Sequence, residues 1–342
     1  MKKFTIAALA IVSLAACTKS ELVDSTPSQE VTYQTLSTKA ASAFDEANKF
    51  VSYAYFLESG KTWDDNKADA KEYIKGATIS FDTANSCWKN STTTYYWPKQ
   101  GGLTFFAWSD NTSDCSVPTG ATITCDKNGI NISDYSLGTN VNKDILVADI
   151  VKGQTQNTKV VDGTSWKAGV PTVFRHAQSD LVFTVKSKEN YAGVEFIVKS
   201  IRLTGVGVKG SFAQEETKGT WTVAGTPGEL NVFTNQLLGE SGKLNGTTAK
   251  TLAPATGDYH IVIPQEFADD TAKLVLEYVV KTNYGVEAEV PVTVEKPLKG
   301  IYTENWEFGK RYTLDIELGL DEILWAPSVE DWEVGTVSGI QA

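Results

Sequence analysis

Apolar residues recurring at every second position constrain this chain more than any other feature. Val286, Ala288, Val290, Val292 and Val294 alternate without a break, and Tyr312, Leu314, Ile316 and Leu318 alternate with Thr313, Asp315 and Glu317. Val194, Phe196 and Val198 do the same, and Val173, Ala177, Leu181, Phe183 and Val185 all fall at odd positions. Successive side chains of a strand point to opposite faces, so this pattern buries one face of a sheet and wets the other. Leu103-Thr104-Phe105-Phe106-Ala107-Trp108 is a short, strongly apolar run and predicts a buried strand. Residues 31–36 predict the first strand, with Val31, Tyr33 and Thr35 on one face. Gly101-Gly102, Asp126-Lys127-Asn128-Gly129, Thr226-Pro227-Gly228 and Asn283-Tyr284-Gly285 supply turns between the runs. Many short strands between turns predict an all-β chain of antiparallel sandwiches, not α/β units. Residues 40–57 and 233–238 are open to a helical reading, since the first stretch carries Ala, Glu, Phe and Tyr without Pro or Gly.

The N-terminus carries a separate signal. Lys2 and Lys3 precede a largely apolar stretch over residues 4–14, and small residues lead into Cys17. A positive region, a short apolar region and a small-residue cleavage point are the parts of an export signal. The stretch is too short to span a bilayer as a helix. Leu14-Ala15-Ala16-Cys17 resembles the lipobox of bacterial lipoproteins, so residues 1–17 are expected to be a signal peptide and lipobox, with Cys17 diacylated. The competing reading is a secretory peptide without lipid. Residues 18–29 are mostly polar and rich in Ser and Thr, and are expected to be a flexible tether.

The formal net charge is -11, and removing residues 1–16 takes away Lys2 and Lys3 and no acid, which brings it to -13. An acidic surface repels phosphate, so neither nucleic acid nor anionic lipid heads are expected partners. About 325 residues after position 17 suit two domains. The polar, Gly-containing stretch 152–169 is the best place for a break, giving an N-terminal sandwich over 30–165 and a C-terminal one over 170–342.

The residues of common catalytic and metal sites are sparse. His176 and His260 are the two histidines, each inside a strand-like run, so both are expected to be structural or surface residues. No nucleophile elbow, metal-spaced His/Cys cluster or phosphate-binding glycine loop occurs, so neither catalysis nor a cofactor or metal is expected. The acidic run Asp64-Asp65-Asn66-Lys67-Ala68-Asp69 lacks the glycine and terminal Glu of a calcium loop, and reads as a solvated acidic loop. Cys87, Cys115 and Cys125 leave two readings open: a Cys115–Cys125 disulfide across a turn, or three buried free thiols. Tyr95, Tyr96 and Trp97 are either sugar-stacking rings or core.

Four segments together resemble the fimbrillin-like family of Bacteroidales lipoproteins, relatives of the major and minor pilins of type V pili. They are Tyr96-Trp97-Pro98 leading into the Leu103 run, Val170-Pro171-Thr172-Val173-Phe174-Arg175-His176-Ala177, Trp306-Glu307-Phe308-Gly309-Lys310-Arg311-Tyr312, and Ile323-Leu324-Trp325-Ala326-Pro327-Ser328-Val329-Glu330-Asp331-Trp332. The resemblance implies two transthyretin-like β-sandwich domains in tandem. It also implies a lipid-anchored, surface-exposed place at the outer membrane and later in a fimbrium. A trypsin-like protease would cut between Lys39 and Ala40, where the family more often has arginine, and remove the lipid and first strand together. A donor strand from the next subunit would then fill the open groove. In this chain the corresponding donor lies near 329–342, with Val329, Trp332, Val334, Val337 and Ile340 as its apolar residues. The implied function is a non-enzymatic structural subunit of an adhesive pilus, whose partners are other pilin subunits, the outer membrane before processing, and a host or bacterial surface receptor or glycan. The alternative is a non-polymerising cell-surface glycan-binding lipoprotein.

Overall fold

The computed structural model describes residues 28–35, 44–140, 143–162, 165–234, 243–244, 246–253, 259–283, 287–302, 305–321, 323–332 and 340–341. The first strands are β1 (Tyr33–Thr35), β2 (Phe50–Leu57), β3 (Lys71–Asp82), β4 (Cys87–Asn90) and β5 (Gly102–Ser109). A hairpin of β6 (Thr122–Asp126) and β7 (Gly129–Ser136) follows. The Asp126 carboxylate caps its turn by accepting from the Asn128 amide at 2.6 Å and the Gly129 amide at 3.3 Å, as an Asx turn does. Next come β8 (Leu146–Ala148), β9 (Val151–Gln154), β10 (Lys159–Asp162), β11 (Ser165–Ala168), β12 (Val170–Thr172) and β13 (Phe174–His176). Among the described residues one sheet runs β12-β1-β4-β3-β2-β5-β8-β13, with β9 also paired to β5.

Strand β5 shows why the Leu103 run is continuously apolar. Leu103, Phe105 and Ala107 join one core while Phe106 and Trp108 join another on the opposite face. The first of these cores draws Tyr33 and Trp88 from one end of the sheet order and Ala148 and Phe174 from the other. The sheet therefore curls around it.

The rest of the chain adds β14 (Ser179–Ser187), β15 (Val194–Val206), β16 (Lys209–Gln214), β17 (Gly219–Val223), β18 (Gly228–Thr234), β19 (Lys243–Leu244), β20 (Lys250–Leu252) and β21 (His260–Val262). It then adds β22 (Lys273–Asn283), β23 (Glu287–Pro297), β24 (Lys310–Leu318), β25 (Ile323–Asp331) and β26 (Ile340–Gln341). One sheet runs β20-β14-β24-β25 with β21 beside β14, the other β18-β15-β22-β23 with β19 beside β15. They face each other across Leu181, Phe183, Val185, Phe196, Val198, Leu314 and Ile316, the alternating positions of the sequence. Strands β14 and β24 are parallel, in register from Asp180–Arg311 to Ser187–Leu318. The molecule is all-β, as the alternation predicts.

Two findings differ from the sequence reading. The helix considered over 40–57 gives way to strand β2, which buries Phe50, Ser52 and Ala54 on one face and pairs on both sides, with β3 and β5. The second helical stretch overlaps strand β18, and residues 235–238 lie outside the described ones. The division expected at 165–170 does not coincide with a gap in the pairing. Strands β12 and β13 complete the first sheet, and the hairpin β16–β17 pairs with β7 to form the sheet β17-β16-β7-β6. Phe212 and Trp221 of that hairpin pack with Ile130, Ile132 and Tyr135 of β7.

Candidate functional site

The first strand sits in a slot between two others. Tyr33 pairs antiparallel with Trp88 of β4, and Tyr33, Gln34 and Thr35 pair parallel with Val170, Pro171 and Thr172 of β12. Upstream, the Val31 amide donates to the Tyr95 carbonyl at 2.8 Å, and the Trp97 amide donates to the Gln29 carbonyl at 2.9 Å. The Val170 amide donates to the Thr32 carbonyl at 2.8 Å. Pro171 fits because β12 ends the sheet order, where a missing amide costs no inner ladder bond. Gly169 is required for closeness: its φ is +145°, and a Cβ there would lie 2.9 Å from the Gln34 Cγ and 3.2 Å from the Tyr33 carbonyl carbon.

Side chains lock the strand. Val31 and Tyr33 are buried two residues apart, as the alternation predicts. The Tyr33 ring meets Phe50 edge-on at 5.5 Å and Phe105 at 5.7 Å. Its hydroxyl donates to the Ser52 Oγ at 3.0 Å. Burial pushes the Tyr33 hydroxyl well above its ordinary range, so it stays protonated as the donor. Just past residues 36–43, Phe44 is buried and stacks on Phe174 at 4.7 Å.

The C-terminal residues have a different setting. Among the described residues strand β25 pairs with β24 alone, with Val329 opposite Tyr312, and Leu324 and Val329 are exposed. Trp332 is buried in a cage: it stacks on His176 at 3.5 Å and 4°, meets Tyr259 at 5.1 Å, and lies 6.0 Å from the Arg311 guanidinium. Its amide donates to the Gly309 carbonyl at 2.6 Å. His176 Nδ1 lies 2.8 Å from the Asp144 Oδ1, and Arg311 holds Asp180 at 2.8 Å. Ile340 pairs through its backbone with Val160 of β10. Cys17, Lys39, Ala40, Val334 and Val337 lie outside the described residues.

The remaining candidates fall as follows. Cys87, Cys115 and Cys125 are free thiols. Trp97 is core, Tyr95 packs against the same cluster, and Tyr96 is exposed. Asp64 and Asp65 open a short helical turn, and Asp69 pairs with Lys61 at 2.9 Å. A cleft of about 450 Å³ is lined by Lys61, Trp63, Asp64, Thr104 and Lys152 among others. Trp63 is buried and Lys152 is held by Asp64 and Glu216, so neither offers a sugar a free ring or a free cation. Ser52, Gly169, Phe44 and Asp144 escaped the sequence reading. Gly169 ahead of Val170-Pro171 was the one visible hint.

The sequence profile of a family described as fimbrillin-like matches residues 25–332. No curated protein matches the chain in sequence. Among solved structures the chain resembles a fimbrial protein from Bacteroides vulgatus at 16% identity and a TM-score of 0.58, covering 83% of this chain and 92% of that one. It also resembles a candidate cell-adhesion protein from Bacteroides uniformis at 16% identity and a TM-score of 0.51, covering 89% of this chain and 99% of that one. At these identities the likeness is one of fold.

Proposed function

The chain belongs to the fimbrillin-like family, and on that premise we propose that it is a non-enzymatic subunit of an adhesive surface pilus, assembled by strand exchange. In this reading the precursor is exported and lipidated at Cys17, and a protease cuts between Lys39 and Ala40. The cut frees the leading segment with its lipid. A donor strand from a neighbouring subunit then takes the slot, while this chain's own segment 329–342 serves as donor elsewhere.

The setting of β1 carries the proposal. A three-residue strand sits between β4 and β12, joined to both by backbone pairing. Taking it out exposes unpaired backbone on two strands and an apolar socket for each of Val31 and Tyr33. Burying a side chain of that size contributes roughly 1.5–3 kcal/mol. An added strand from outside supplies both the hydrogen bonds and the apolar fill, which is the physics of edge completion. Phe44, packed on Phe174, would hold the new N-terminus in place while the segment before it departs.

N-terminal sequencing of protein recovered from cells, paired with electrophoresis of unboiled samples, tests this. The expected result is a ladder of oligomers whose subunits begin at Ala40. Ladders built from chains that all still begin at Cys17 would refute exchange through the first strand.

A further inference from the structure

We propose that the slot of β1 is selective: it takes a strand carrying a hydroxyl-bearing aromatic two residues after a β-branched residue, supplied by a different protein and not by segment 329–342 of a second copy. This rests on the strand-exchange reading and names the partner for that site.

The selectivity lies in Ser52. It is fully buried on β2, placed in register between Ala77 of β3 and Ala107 of β5, and its Oγ accepts the Tyr33 hydroxyl at 3.0 Å. Around it the cluster is apolar: Phe50, Ala54, Ile74, Ala77, Phe105 and Ala107. An occupant that fills the socket without a hydroxyl strands a buried polar group. A smaller occupant leaves a void as well, and the void cannot collapse easily, because Phe50 and Phe105 stand on strands paired on both sides. Val31 sets the second requirement, a compact branched side chain one pleat earlier.

Segment 329–342 does not meet these requirements. Past Trp332 it reads Glu-Val-Gly-Thr-Val-Ser-Gly-Ile-Gln-Ala, with no aromatic residue. Placing Val334 at the Val31 position puts Thr336 at the Tyr33 position, and a threonine hydroxyl sits on Cβ, far short of Ser52. Trp332 has no hydroxyl and is itself seated on His176. The tail of a second copy would therefore bring the backbone bonds but neither the ring nor the hydroxyl.

A chain with a specific protease site replacing residues 37–40, cut and still holding its own leading segment, tests the proposal. It is equilibrated with labelled peptides of residues 28–36, the same peptide with Tyr33→Phe or Tyr33→Thr, and a peptide of residues 329–342. The natural leading peptide should bind best. Tyr33→Phe should weaken binding about tenfold and Tyr33→Thr roughly a hundredfold or more, with the tail peptide no better than the latter. In a Ser52→Ala chain the Phe and Tyr peptides should bind alike. In the uncut chain the same cycle reads out as denaturation midpoints, with Tyr33→Phe costing stability in the Ser52 background only. A tail peptide that binds as well as the leading peptide overturns the selectivity and leaves strand exchange standing. If no peptide exchanges in a cut chain that keeps its β circular dichroism, strand exchange falls with it.

Discussion

His260 on β21 holds its Nδ1 2.8 Å from the Leu181 carbonyl oxygen, with the Asp180 carboxylate accepting its backbone amide at 2.9 Å. Burial pushes its pKa below the ordinary 6.5, opposed by the Leu181 carbonyl and by Asp180. Its Nε2 is buried as well, so a second proton would charge a ring held away from water. Between 6.5 and the lowered folded pKa, the unfolded chain binds a proton that the folded chain refuses. Stability from this residue is intact above 6.5 and is lost as the pH falls below it. Denaturant titrations at about pH 7.5 and 5.5 should show a smaller acid loss for His260→Phe than for the parent chain, and an unchanged loss would refute the assignment. That both histidines lie in strands was legible from the runs around them. Their partners were not, because Asp144 lies 32 residues before His176 and Asp180 lies 80 before His260, and no local pattern links them.

Two long strands end their sheets, β23 and β25, and each carries a proline near its middle, Pro291 and Pro327. An open strand edge invites pairing with another molecule, and a residue without an amide proton interrupts it. Both edges also carry exposed apolar residues, Val290 on the first and Leu324 and Val329 on the second. The double substitution Pro291→Val and Pro327→Val should therefore raise lateral association, seen as a shift from monomer to larger species in sedimentation. A variant that stays monomeric at high concentration would show that the prolines guard nothing. At this scale the sequence was informative where burial follows the apolar pattern: β14 and β24 bury the alternating face, and the Leu103 run buries both. It misled over 40–57, where Ala- and Glu-containing residues suggested a helix although Phe50, Val51, Tyr53 and Tyr55 are all residues that favour strands. Pairing on both sides outweighed the local propensity.

Across the whole molecule the two halves share a core. Hairpin β16–β17 pairs with β7, and Ala177, Ile261 and Ile263 join Phe106 and Trp108 in one cluster. A fragment ending at residue 169 would lose β12, β13 and that hairpin, and expose both cores it leaves behind. Such a fragment should express as insoluble or unfolded protein, and a sharp, cooperative melt of it alone would contradict the shared core. The sequence announced the class of fold but not this crossing, since period-two alternation says which face is buried and nothing about which strand lies opposite. The parallel pairing of β14 with β24 was hidden for the same reason. The stacking of Trp332 on His176 has a mechanical consequence. His176 belongs to β13, in the same sheet that holds the β1 slot. Trp332 follows directly on β25, so the stack fastens the end of that strand, and the sandwich it belongs to, onto this sheet. Sliding one against the other means parting a buried aromatic pair.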